Sequence, residues 1–103
     1  MLTRFVLATA IASAPFAAAA QDRQALYVRA LAGNCAQCHG TDGHAAPGST
    51  LPGLAGMPRE YMLQQLLAFR DGSRPATVMH QIARGFSEPQ LRALAGYFPA
   101  QGR

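Results

Sequence analysis

Apolar residues along this chain recur three and four positions apart, and nowhere do they alternate with polar ones in the rhythm of a half-buried strand, which predicts an all-α fold. In residues 22–33 the stripe is Ala25, Leu26, Val28, Leu31 and Ala32, with Asp22 as N-cap and Gly33-Asn34 as the stop. A second helix opens at Pro58, where a missing N–H costs nothing, carries Tyr61, Met62, Gln65, Leu66 and Phe69 at helical spacing, and stops near Asp71-Gly72. Residues 73–77 read as extended around Pro75, and residues 78–85 as a short helix ending at a glycine. The last helix is announced by Ser87 with Gln90 three positions on, a capping box, and tolerates Pro89 in its first turn; its apolar face is Leu91, Leu94, Ala95 and Phe98. Three main helices and a short one are therefore expected. Between the first and second, residues 40–57 hold Gly43, Pro47, Gly48, Pro52, Gly53 and Gly56, which forbid a long regular element. A loop of this length in a small domain is either functional or disordered, and this one reads as an ordered loop wrapped round a cofactor.

The N-terminus departs from this pattern. Arg4 precedes an apolar stretch diluted by Thr9, Ser13 and Pro15, and small residues follow at Ala17-Ala18-Ala19-Ala20. That is the layout of a cleaved export signal over residues 1–20, and the stretch falls short of the ~20 apolar residues a spanning helix needs. Residues 21–103 are then the one domain, destined for the periplasm. With 103 residues before cleavage, the chain buries too little surface to be stable without a disulfide, metal, cofactor or partner. The net charge of +4 comes from arginines scattered singly, without the runs or aromatic interleaving of a nucleic-acid surface. They form a solvated face suited to steering an acidic partner.

The chemistry lies in Cys35-Ala36-Gln37-Cys38-His39. Two thiols three positions apart can add to the two vinyl groups of one haem, and the adjacent histidine then lies beneath the iron. The competing readings each need something more: a thioredoxin-type dithiol needs strands, a structural zinc site needs a second close ligand pair, and a disulfide between Cys35 and Cys38 closes too small a loop to stabilise much. Export supports haem, because c-type haem is attached outside the cytoplasm, and a buried porphyrin supplies the staple a small chain lacks. The sixth ligand decides what such a haem does, since two protein ligands suit electron transfer and an open position suits small-molecule binding. Met79 is the expected ligand, lying beyond a whole helix and just past the Pro75 turn; Met57 and His80 are rivals. Met62 reads as core filling, and His44 is too close in sequence to cross the haem. His39 should donate its other N–H to a backbone carbonyl, that of Pro52 or, as a weaker candidate, Pro47. Arg74 or Arg59 could pair with haem propionates.

Taken together, the attachment motif Cys35-Ala36-Gln37-Cys38-His39-Gly40, the loop stretch Pro52-Gly53-Leu54-Ala55-Gly56, Met79, and Leu94-Ala95-Gly96-Tyr97-Phe98 resemble class I c-type cytochromes over residues 22–98. The resemblance implies one covalent haem c, the Pro52 carbonyl as acceptor for His39, Met79 on the iron, and a close crossing of first and last helices that sets Gly33 or a nearby small residue against Tyr97. A narrower likeness runs through Phe69-Arg70-Asp71-Gly72-Ser73-Arg74-Pro75-Ala76-Thr77-Val78-Met79 and Ile82-Ala83-Arg84-Gly85-Phe86, which looks like the cytochrome subunit of flavocytochrome c sulfide dehydrogenase. It implies a subunit that binds no substrate itself and accepts electrons from a sulfide-oxidising flavoprotein containing FAD. A free-standing soluble carrier, or a haem sensor with a labile sixth ligand, is the alternative.

Overall fold

A computed structural model describes residues 14–103. Residues 1–13, most of the expected export signal, lie outside the described residues. The described residues form four α-helices and no strand: α1 (Ala14–His39), α2 (Arg59–Asp71), α3 (Met79–Arg84) and α4 (Glu88–Tyr97), with a single 3-10 turn at Thr41–Gly43.

α1 is longer than its sequence signals at both ends. It runs from Ala14 across the expected cleavage point, with Pro15 to Tyr27 exposed, so Asp22 is no N-cap. Gly33 and Asn34 do not stop it either. Each costs a helix interior at most ~1 kcal/mol, and that is outweighed because Leu31, Ala32 and Cys35 on either side pack into the core. Asn34 satisfies its own side chain on the Leu31 carbonyl at 3.0 Å. The helix stops at Gly40, whose φ of +90° is open to glycine alone: a Cβ there would stand 1.8 Å from the His44 carbonyl oxygen.

α2 follows Pro58, which serves as N-cap, and ends at Gly72 in the left-handed conformation. Its buried face is rotated from the expected stripe. Met62 and Leu63 are buried and Leu66 and Leu67 pack beside them, while Tyr61 is exposed and Phe69 lies half-buried under the Arg74 guanidinium. α2 packs against both α3 and α4, a demand the periodicity of one helix does not contain. In α4 the Ser87–Gln90 capping box forms in both directions, at 3.3 and 2.9 Å. Its predicted face is the centre of the core: Leu91, Leu94, Ala95 and Phe98 are all at most 1% exposed.

α4 crosses α1, and the small residue buried at the crossing is Ala32; Gly33 is exposed with open space over it. Gln90 ties the two helices again by donating to the Tyr27 hydroxyl at 2.9 Å. The glycine- and proline-rich loop is ordered by its backbone. The Gly43 carbonyl accepts from Leu54 and Ala55 at 2.8 and 3.1 Å, and Gly56 donates to the Phe98 carbonyl at 3.1 Å.

Candidate functional site

Because α1 continues through the motif, Cys35, Cys38 and His39 stand at positions i, i+3 and i+4 of one helix and share a face. Had the helix ended at Gly33, nothing local would have aligned them. Both thiols are free. Cys38 is exposed, whereas Cys35 is half-buried against the core and desolvation pushes its pKa up to about 11.

His39, the last residue of α1, is 9% exposed, and its Nδ1 donates to the Pro52 carbonyl at 2.7 Å. A carbonyl oxygen only accepts, so the proton must sit on Nδ1, and Nε2 of the neutral ring keeps a lone pair. Pro52 is thus the acceptor, not Pro47. The Pro52 carbonyl is in place because the loop just beyond it is bonded to Gly43. Gly43 has φ +81° and no room for a Cβ, which would stand 2.7 Å from the Ala55 nitrogen and 2.8 Å from the Phe98 ring.

The three methionines among the described residues have different surroundings. Met62 is 3% exposed inside the core, and Met57 packs against it from the loop. Met79 is half-buried, opens α3 and lies outside that cluster. Beside it, His80 Nδ1 is the one buried side-chain polar atom among the described residues without a hydrogen bond. His44 is exposed, with Nδ1 3.3 Å from the Thr41 carbonyl and Nε2 against the Gly102 carbonyl. Arg74 is engaged elsewhere, donating to Gln65 at 2.5 Å and lying 4.6 Å from the centre of the Phe69 ring; Arg59 is exposed.

One pair at this site is not legible as a motif. The Tyr97 hydroxyl donates to Asp42 Oδ1 at 2.5 Å, joining the end of α4 to the turn after His39. The only sequence signal for it is Asp42-Gly43, a dipeptide that tolerates left-handed backbone.

This donor set fits a covalently attached haem. Two free thiols lie one helical turn apart, an imidazole has its proton committed and Nε2 available, and a thioether stands apart from the core. Among the described residues no three or more His, Cys, Asp or Glu groups gather into a cluster that could hold a metal ion by themselves.

Known proteins agree. Residues 20–98 match the cytochrome c family. The thiosulfate dehydrogenase electron acceptor of Thiomonas intermedia (strain K12) is 42% identical over 67 residues, which cover 65% of this chain and 31% of that protein. The cytochrome subunit of sulfide dehydrogenase of Chlorobaculum tepidum is 40% identical over 65 residues, 63% of this chain and 57% of that protein. The solved structure of Acidithiobacillus ferrooxidans cytochrome c4 superposes with a TM-score of 0.59 at 39% identity, covering 64% of this chain and 37% of that one. The match thus spans from about a third to somewhat over half of the length of these relatives. The family match takes in the attachment motif and α2 to α4, and the chain belongs to the cytochrome c family, with covalent haem c and with Cys35 and Cys38 in the attachment arrangement before His39.

Proposed function

We propose that this protein is a periplasmic electron carrier, exported by a cleaved signal over residues 1–20, that accepts electrons from a flavin-containing dehydrogenase oxidising sulfide. The bound haem supplies a one-electron ferric/ferrous couple. His39 would hold the iron through Nε2, its ring oriented by the Nδ1–H bond to Pro52, which raises the basicity of the ring. Met79 would supply the second protein ligand. The observation that carries this assignment is the position of Met79 outside the apolar cluster that engages Met57 and Met62. Thioether ligation raises the potential of a haem and, by closing the sixth position, suits it to electron transfer rather than to binding small molecules. No helix among the described residues is long and apolar enough to cross a membrane. The sulfide dehydrogenase relative supports the choice of donor. The thiosulfate dehydrogenase relative favours a second reading, a free-standing carrier serving another sulfur-oxidising enzyme.

Two measurements test these assignments. In the oxidised protein, Met79→Ala should abolish the thioether-to-iron charge-transfer band while Met57→Ala and Met62→Ala keep it; an unchanged Met79→Ala spectrum overturns the ligand. Affinity purification from the native host should bring down a protein with flavin fluorescence. A partner without flavin, together with normal sulfide oxidation in a deletion strain, would leave the second reading.

A further inference from the structure

Asp42 is the one non-glycine residue among the described residues with left-handed backbone, at φ +53° and ψ +22°. Short polar side chains visit this region more readily than others, yet it remains unfavourable and needs local support. The support here is the Tyr97 hydroxyl, which donates to Asp42 Oδ1 at 2.5 Å. Both residues are half-buried. The carboxylate acceptor also holds the phenol in its protonated form, raising the Tyr97 pKa. Tyr97 is itself braced, its ring edge-to-face with the buried Phe98 ring at 5.2 Å.

Gly43, directly after Asp42, extends the reach of this contact. It is wedged against Phe98 and Leu54, and its carbonyl accepts from both Leu54 and Ala55. Those two bonds secure the loop just after Pro52, whose carbonyl takes the His39 Nδ1 proton. A continuous path therefore runs from the end of α4, through Asp42 and Gly43, to the acceptor of the imidazole proton. Each step is a hydrogen bond or a short run of backbone. If Asp42 relaxes to right-handed backbone, the peptide joining it to Gly43 turns, the Gly43 N–H loses its 2.9 Å bond to the Gly40 carbonyl, and Gly43 is displaced together with the carbonyl that accepts from Leu54 and Ala55.

We propose that Tyr97 is a positioning residue for His39: its bond to Asp42 holds the turn after the attachment motif in left-handed conformation and thereby fixes the Pro52 carbonyl against Nδ1. The inference rests on His39 ligating the haem iron. A strong Nδ1–H bond gives the imidazole more anionic character, which favours ferric iron and lowers the potential. Loosening the clasp therefore raises the potential.

The experiment uses the haem-loaded protein and the variants Tyr97→Phe, Asp42→Ala and Asp42→Asn. The readouts are the midpoint potential and, in the diamagnetic ferrous state, the exchange rate of the His39 Nδ1 proton by NMR. Tyr97→Phe and Asp42→Ala should each raise the potential and speed exchange about fivefold, the factor matching loss of a hydrogen bond of ordinary net strength. Asp42→Asn keeps an acceptor oxygen and tolerance of left-handed backbone, so it should stay near the native values. If Tyr97→Phe melts at lower temperature but leaves potential and exchange unchanged, the pair only stabilises the fold and the proposal fails. It fails equally if Asp42→Asn behaves like Asp42→Ala, for then the charge acts and not the clasp. Should Tyr97→Phe not fold, the two Asp42 variants decide alone. Failure of the underlying ligation is separately visible, since the His39 proton of the native ferrous protein would then lack the ring-current shift of an axial ligand.

Discussion

Cys35 and Cys38 belong to one motif but meet different surroundings. The nucleophile in thiol chemistry is the thiolate, and burial against the core pushes the Cys35 pKa up to about 11 while Cys38 lies open to solvent. At neutral pH a haem-free chain should be alkylated at Cys38 well before Cys35, as mass spectrometry of the two cysteines would record. Equal rates would mean that Cys35 is not desolvated. Tyr97 carries a prediction about alkaline pH. Its folded-state pKa lies above the ordinary phenol value of about 10, so the unfolded chain loses its proton first as pH rises. The Tyr97–Asp42 contribution is complete below the unfolded-state value and is lost as pH climbs through the folded-state pKa. Thermal melts across this alkaline window should show a steeper decline for the native protein than for Tyr97→Phe.

At the scale of elements, two residues of opposite reputation separate local propensity from packing. Ser87 does what its spacing to Gln90 announces, and Ser87→Ala should cost about 1 kcal/mol in chemical denaturation by removing the acceptor for the Gln90 N–H. Gly33 reads as a helix stop, and by family resemblance as a crossing point, yet it stands in the interior of α1 with nothing within 4 Å of an added Cβ. Gly33→Ala should therefore stabilise the protein by about 0.5–1 kcal/mol, the helix-propensity difference between the two residues. A loss of stability would mean that α4 approaches more closely there than at Ala32. Gly43→Ala should do the reverse and weaken the holoprotein severely, because both the φ of +81° and the Phe98 and Ala55 contacts exclude a side chain.

For the molecule as a whole, the described residues hold eight buried hydrophobic side chains, and three of them are alanines. A core this small supplies only a few kcal/mol of net stability, so the covalent haem has to contribute the rest. The doubly substituted Cys35→Ala/Cys38→Ala chain, which cannot attach haem, should lose most of the cooperative thermal transition of the holoprotein by far-UV circular dichroism. A sharp transition in the haem-free chain would show that the helices suffice.

The order and number of helices, the capping box at Ser87, the buried face of α4 and the haem-attachment motif were all legible from the chain, because each depends on residues within a few positions of one another. The acceptor for His39 was legible as a loop proline, Pro52 ahead of Pro47, from a ligating histidine's need for a carbonyl partner, and the resemblance pointed to the same residue; Met79 is an assignment by position and surroundings. Three things waited for the tertiary structure. The continuation of α1 through Gly33 to His39 is decided by packing that outweighs a weak local preference. The buried face of α2 is rotated because two other helices meet it at once. The Tyr97–Asp42 bond joins groups 55 positions apart, and nothing in either local sequence encodes that meeting. The motif alone says that a haem is attached; how its histidine is held is decided by contacts that exist only once the last helix has closed on the first.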